Sequence, residues 1–478
     1  MKYKFFAIPM IAATLALGGC SKFLEEKSQS DVIPKTVVDF RELLLGSGYP
    51  GKTNPAAMVY LMDDDVDLNC ESGVSSGYPI VGTDPVKEDY LLYTWQPRQA
   101  EENGLGIRIG DQAGSTAYFK VYERIKGCNA VLDYVDDAIG TREEKDRVKA
   151  EALAVRAFHY FTLVNLYGDP YNQNPTGPGV PLKMTSSVEA DSPARNTVAE
   201  VYDAIVKDLD EAARLMDPLP IVRKDFHINQ PAIHILLSRV YLHMEKWEDC
   251  VAEADKAFAL GATVPDLTNI TAGRWISYDN AEVEWMTGST YQEYNQTDYA
   301  PSRQFMASFG ADDVRGKFGF SRPSNSENSP LLTKFLTNGT EAISQAVRAS
   351  EAMMNRAEAY VQLNKLGDAL KDLNAMRRRR IIGYADVSIG DKAVLLAEVR
   401  EERRKEFCYE GFRWFDLRRY GRPSITHRYQ HEPTEQILQY TLKEKDPAYT
   451  LPFPSSLLLR NPKLTQNPSA SIPNRVGQ

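Results

Sequence analysis

The residues with the most chemistry to offer lie in one stretch, 399–421, which reads VREERRKEFCYEGFRWFDLRRYG. On a helix, Leu395, Leu396 and Val399 share an apolar face, and that face continues through Glu402, Arg403, Glu406, Phe407 and Glu410. Gly411 supplies a stop, because a positive φ costs glycine nothing. A second short helix over 412–420 then carries Arg413, Trp414, Asp416 and Arg418 before Gly421 and Pro423 end it. Carboxylates and arginines gathered this densely are where acid–base catalysis would first be sought. Charges on a core-facing stripe are seldom buried without partners, however. The pattern therefore predicts an interlocked ion network between two packed helices, built from Arg403, Glu406, Glu410, Arg413, Asp416 and Arg418. Such a network fixes geometry more than it adds stability; its alternative is a solvated, salt-bridged helix pair.

No catalytic signature accompanies it. The six histidines form no HExxH, and there is no GxSxG, no phosphate-cradling glycine loop and no cysteine beside a histidine motif. His427 and His431 have a spacing that suits zinc but no third ligand nearby in sequence. Asp63, Asp65, Asp67 and Asn69 alternate as in a calcium loop, without the glycine or the bidentate glutamate an EF-hand needs. The expectation is no catalytic residue, no metal and no cofactor. A carboxylate pair for glycoside hydrolysis can always be drawn from 65 acidic residues, and nothing selects one.

Aromatic residues in loop-rich segments point to binding instead. A sugar ring has an apolar face and a rim of hydroxyls, so it is held by flat aromatic rings together with Asp, Asn and Arg. Two segments have that mixture. One is 90–98, YLLYTWQPR, with Trp95 and Arg98, and with Asn103 beyond it. The other runs over 275–303 and holds Trp275, Trp285, Tyr291, Tyr294 and Tyr299. These eight residues are the candidate ligand contacts. The competing reading for each ring is that it packs a loop onto the scaffold.

The elements that must position these residues begin with an export signal. Lys2 and Lys4 precede an apolar run over 5–17 that ends in Leu17-Gly18-Gly19-Cys20, a pattern that resembles a bacterial lipobox. The run is well short of the ~20 residues that span a bilayer. Residues 1–19 read as a signal peptide, Cys20 as the lipidation site and 20–35 as a lipidated tether. Loss of Lys2 and Lys4 takes the net charge from −9 to −11, which argues against nucleic acid as a partner. The other four cysteines are scattered and form no disulfide framework.

Beyond the tether, helical spacing predicts helices over 36–45, 118–135 and 143–167, and a capping box at Thr197 and Glu200 opens another. A repeat follows. Ser238-Arg239-Val240-Tyr241 and Arg356-Ala357-Glu358-Ala359-Tyr360 each place a small residue three before a tyrosine. Another small residue, Cys250 or Ala369, lies twelve positions after the first. Small residues there let two helices of a hairpin approach closely, as in a tetratricopeptide unit, and Arg156-Ala157 to Tyr160 repeats the first half. The expected fold is mainly all-α: a tetratricopeptide-like scaffold of helical hairpins with a loop-rich inserted, ligand-bearing lobe. The expected divisions are an N-terminal region over 36–263, the lobe over 264–344, and a C-terminal region over 345–478 that ends in an extended, proline-stiffened tail.

Taken together, these segments resemble one family. Glu402-Arg403-Arg404 with Glu406, continuing as Glu410-Gly411-Phe412-Arg413-Trp414-Phe415-Asp416-Leu417-Arg418-Arg419-Tyr420-Gly421, is similar to the signature of SusD/RagB surface lipoproteins of Bacteroidetes. So are Cys20 with Phe23-Leu24-Glu25, Leu166-Tyr167-Gly168-Asp169-Pro170, and the Asn461-Pro462 to Asn467-Pro468 tail. The resemblance runs nearly end to end. It implies an outer-membrane, lipid-anchored protein facing the cell exterior. Such a protein captures oligosaccharide, or in some members peptide, and delivers it without catalysis to a SusC-like TonB-dependent barrel. A scaffold of that complex with no ligand of its own is the remaining alternative, and a hydrolase is not expected.

Overall fold

Thr36, Thr141 and Thr197 each accept a hydrogen bond from the backbone N–H three residues on, and the acid at that position accepts one back. These reciprocal caps satisfy backbone donors that the first turn of a helix leaves open. They start α1 (Val37–Leu43), α4 (Arg142–Tyr167) and α5 (Val198–Met216). Between them lie α2 (Asp84–Tyr93) and α3 (Ala117–Tyr134), and α6 (Gln230–His243) and α7 (Trp247–Ala259) follow. Then come α8 (Arg303–Ala307), α9 (Val314–Phe318), α10 (Ala349–Gln362), α11 (Leu366–Arg378), α12 (Lys392–Phe407), α13 (Arg413–Arg419) and α14 (Ser455–Arg460). The computed structural model describes residues 34–50, 57–68, 70, 81–82, 84–99, 117–188, 192–272, 275–277, 279–289, 299–321, 331–332, 334 and 343–478.

The chain is mainly helical. From α3 to α7 each helix packs on the next; α10 then joins α6 and α7, and carries α11 and α12. The two repeat hairpins share one turn geometry. Glu245 and Asn364 adopt φ of 58° and 60°. In each turn the following N–H reaches back to a tyrosine carbonyl, Lys246 to Tyr241 at 3.0 Å and Lys365 to Tyr360 at 2.8 Å. This is the Schellman pattern that closes a helix on its own carbonyls. Ser238, Cys250, Ala357 and Ala369 are wholly buried. Ser238 Oγ accepts from Asn355 Nδ2 at 2.8 Å, tying the two hairpins together. The arginines of the repeat also correspond: Arg156 grips Asp208 on α5 with two bonds of 2.8 Å, and Arg356 grips Asp372 on α11 at 2.8 and 2.7 Å.

Strands are short and pair only in twos among the described residues: β1 (Val66–Leu68) with β3 (Tyr299–Pro301), β2 (Val283–Ser289) with β6 (Ile343–Arg348), β4 (Phe320–Ser321) with β5 (Leu331–Leu332), and β7 (Ile425–Tyr429) with β8 (Leu438–Leu442). All pairs are antiparallel. The β2–β6 ribbon closes the base of the segment 264–344 and continues to Arg348, where α10 begins. β3 leaves that segment to pair with β1 of the N-terminal region, register Asp67 to Ala300. The β7–β8 hairpin precedes what the sequence suggested was an extended tail, and α14 stands within that tail. No described helix is long and apolar enough to cross a membrane.

Candidate functional site

The aromatic segment 90–98 ends α2 in an unusual way. Trp95 takes the left-handed position after the helix, φ 51°, normally given to glycine. Its N–H and that of Gln96 return to Leu92 and Leu91 carbonyls at 3.1 and 2.8 Å. The turn throws the indole inward: Trp95 is fully buried and its Nε1–H donates to the Met62 carbonyl at 3.0 Å. Its ring stacks on His427 with centroids 4.2 Å apart, and Tyr93 stacks on His427 from its side at 4.3 Å. Tyr299 packs on Tyr93 at 5.1 Å, and Tyr90 packs on Tyr429 at 4.9 Å. The result is an aromatic shelf that joins α2, β3 and the β7–β8 hairpin.

His427 lies on a strand rather than in a loop. Its two ring nitrogens sit 2.8 and 2.7 Å from the carbonyls of Tyr93 and Asp63, so its chemistry is spent on holding backbone. His431 instead meets the Tyr440 hydroxyl at 3.2 Å.

The shelf brings together Trp95 and Tyr299, with Arg98 exposed just beyond. Trp285 is elsewhere, edge-on to Tyr49 and Phe158 at 6.0 and 5.1 Å inside the scaffold. Trp275 is buried beside Gly319, where an added Cβ would lie 2.9 Å from the indole. Trp95, Trp275, Trp285 and Tyr299 thus turn their rings to the protein and offer no face to solvent. A ring reads as a binder from sequence when its segment lacks periodicity, but lack of periodicity marks only an irregular backbone. Cys20, Asn103, Tyr291 and Tyr294 lie outside the described residues.

Buried polar atoms with no hydrogen-bond partner among the described residues include the Tyr299 hydroxyl, both polar atoms of the Gln99 side chain and the indole nitrogens of Trp275 and Trp285. Buried polar atoms are nearly always satisfied. Gln99 was not singled out in the sequence; only its position next to Arg98 pointed to it.

The ionic stretch builds a second, larger assembly. Glu406 on α12 is fully buried and meets three arginines: Arg348 at 2.6 Å, Arg380 at 3.0 Å and Arg315 at 3.1 Å. Glu410 receives Arg348 at 2.7 Å and Lys334 Nζ at 2.5 Å. Glu402 takes Arg315 and Arg377, each at 2.7 Å. Glu282 and Asp313 complete the set. Five buried carboxylates thereby face five cations. Burial alone would push Glu406 up, but Arg380, Arg348 and Arg315 outweigh it and hold its pKa well below the carboxylate range.

The network is wider than a pair of helices. Of the six residues expected to pair with one another, Arg403 and Asp416 do so, at 2.8 Å, and Asp416 also takes Arg419 at 2.9 Å. Arg413 crosses to Asp64 at 2.7 Å. Arg418 has no salt bridge among the described residues and donates to the carbonyls of Asn165 and Gly168, at the end of α4.

Asp63, Asp64 and Asp65 bring carboxylate oxygens within 4.8 Å of one another, as a cation site would. Arg413 and Arg404 already lie on Asp64 and Asp65, the latter at 2.5 Å, so two guanidinium groups stand where a metal's charge would go. Burial and the neighbouring acids push the third carboxyl, Asp63, well up. Every ionisable group of this assembly faces another or a carbonyl, an arrangement that locks geometry rather than moves protons.

The chain has known counterparts. A SusD-like family described as starch-binding and associating with the outer membrane matches residues 22–242, and the SusD family matches 271–469. The chain belongs to the SusD/RagB family. SusD-like protein P2 of Formosa agariphila is 22% identical, over 98% of this chain and 99% of that one. Among solved structures, a SusD superfamily protein from Bacteroides vulgatus superposes with a TM-score of 0.71 at 22% identity, covering 92% of this chain and 100% of the other. A SusD-like carbohydrate binding protein from the same species gives 0.69 at 21%, covering 90% and 97%. These structural likenesses show the SusD-like fold.

Proposed function

We propose that this protein is a lipid-anchored outer-membrane receptor that captures oligosaccharide outside the cell and passes it to a SusC-like TonB-dependent barrel, without catalysis. Membership of a family whose model describes starch binding at the outer membrane carries this reading. Support comes from the sequence, through the lipobox at Cys20. It comes also from the character of the ionic clasp, where Glu402, Glu406 and Glu410 are buried and paired with arginines and Lys334.

Ligand contact is assigned to the surface around the aromatic shelf: Arg98, with Asn103, Tyr291 and Tyr294 from the flanking segments, and Gln99 and the Tyr299 hydroxyl as polar receivers. The buried tryptophans act beneath it as support. A glycan array probed with the lipid-free chain tests the reading. Binding to one glycan class is expected; binding to peptides alone would replace the sugar and keep the delivery role. Purification from the outer membrane together with a barrel is the expected result for the partner.

A further inference from the structure

A pocket of about 50 Å³ lies where α4 and α6 meet the β2–β6 ribbon, and it shares no residue with the aromatic shelf. Phe158 and Phe161 of α4, with Phe412 and Phe415 of the signature stretch, give it aromatic walls. Arg239 and His243, one turn apart on α6, and Thr287 of β2 give it polar ones. All three polar residues are more than nine-tenths buried. Glu351 accepts from Nε and Nη2 of Arg239 at 2.5 and 2.7 Å, and the guanidinium lies 4.9 Å from the Phe412 ring centroid. That grip leaves Nη1, whose hydrogens meet no acceptor among the described residues. His243 stands edge-on to Phe161 at 5.0 Å, and its ring nitrogens make no hydrogen bond among the described residues. Buried donors of this kind are nearly always satisfied.

We propose that this pocket binds a small carboxylate, its oxygens on Arg239 Nη1 and His243 and its alkyl end among the phenylalanines. A guanidinium edge matches a planar oxyanion, and the bond gains from both charges. Glu410 is the carboxylate on the wall, and Arg348 and Lys334 already hold its two oxygens, so it does not occupy Arg239. Burial, with Arg419, Arg403, Arg239 and Arg418 around it, holds the His243 imidazole well below its usual pKa, which leaves the ring neutral in a positive field. Arg418 contributes to that field without a salt bridge among the described residues. At ~10–15 Å³ for each water-sized occupant, the pocket of about 50 Å³ holds about four heavy atoms. That is the size of acetate, or of the carboxylate tip of a uronic acid whose ring stays outside. The proposal does not rest on glycan capture at the shelf, and the two are tested separately.

Titration of the lipid-free chain with sodium acetate, at pH 7 and at ionic strength held with sodium chloride, tests this. The His243 ring resonances report it, assigned by their absence in His243→Gln. Saturable shifts are expected, and the His243 pKa is expected to rise in acetate relative to chloride, because a bound anion favours the charged ring. Acetamide, of the same size without the charge, is expected to bind at least about tenfold more weakly. Ala346→Leu fills the pocket from β6 and is expected to weaken acetate at least about tenfold in a protein that melts like the parent. Should that variant not fold, the ratio of acetate to acetamide affinity in the parent decides. Glucuronate that competes with acetate makes an acidic sugar the source of the carboxylate; acetate binding without such competition makes it a free anion, and either result supports the site. No saturable shift with acetate or glucuronate overturns the proposal. So does acetamide binding as tightly as acetate, or unchanged acetate affinity in folded Ala346→Leu.

Discussion

At the scale of single residues, burial decides what each side chain does. Trp95→Ala removes a fully buried indole, its bond to Met62 and the stack on His427, and is expected to cost about 3–5 kcal/mol. Chemical denaturation measures this, and a loss under 1 kcal/mol would mean the ring is not structural. Glu406→Ala strands Arg315, Arg348 and Arg380 without their shared carboxylate, an expected loss of about 3–5 kcal/mol, whereas Glu406→Gln keeps part of the hydrogen bonding and loses less. That Glu406 faces inward could be read from its spacing after Val399. Its partners could not, because Arg315, Arg348 and Arg380 come from three other segments and periodicity carries no information across such distances. The tryptophans failed the other way: aromatic rings in aperiodic sequence suit sugar binding and loop packing equally, and only Trp95's inward turn at φ 51° separates them.

At the scale of elements, helices were more legible than strands. The capping boxes and the Ser238/Cys250 and Ala357/Ala369 spacings are local, so the sequence contains them whole. β7 and β8 are short strands of one hairpin, the β2–β6 ribbon joins strands far apart in sequence, and two-strand ribbons leave too little alternation to read. The joint of α5, α6 and α7 gives a pH test. His234 Nδ1 lies 2.5 Å from Glu253 and its Nε2 3.2 Å from Asp217, while Lys256 sits on Glu253 at 2.8 Å and Asp210 lies nearby. Burial pushes His234 down, but Asp217 and Glu253 outweigh it and raise it to about 9. A histidine raised above its unfolded value near 6.5 stabilises fully below that pH, and the gain is lost as pH rises toward 9. His234→Gln should therefore fall short of the parent by up to about 3 kcal/mol at pH 6 and by little at pH 9.5. Unfolding curves at both pH values check it; a gap that does not shrink would show that His234 is not held as a cation.

At the scale of the whole molecule, a helical stack and an ionic clasp hold the ends of irregular segments, and the proposed ligand contacts are placed on those segments. The clasp ties α9, α10, α11 and α12 to the base of the lobe through Arg315, Arg348, Arg380 and Glu282. Family and scaffold were legible because they rest on many local motifs; the ligand was not, because the candidate contacts come from sequence with no periodicity to read.

The central claim is glycan capture on the surface above the aromatic shelf. Calorimetric titration of the lipid-free chain with the oligosaccharide that the array identifies tests it most directly. Saturable binding is expected, weakened at least about tenfold, or ~1.4 kcal/mol, by Tyr291→Ala with Tyr294→Ala in a protein that melts like the parent. No heat with any glycan, or unchanged affinity in that double variant, would contradict the account.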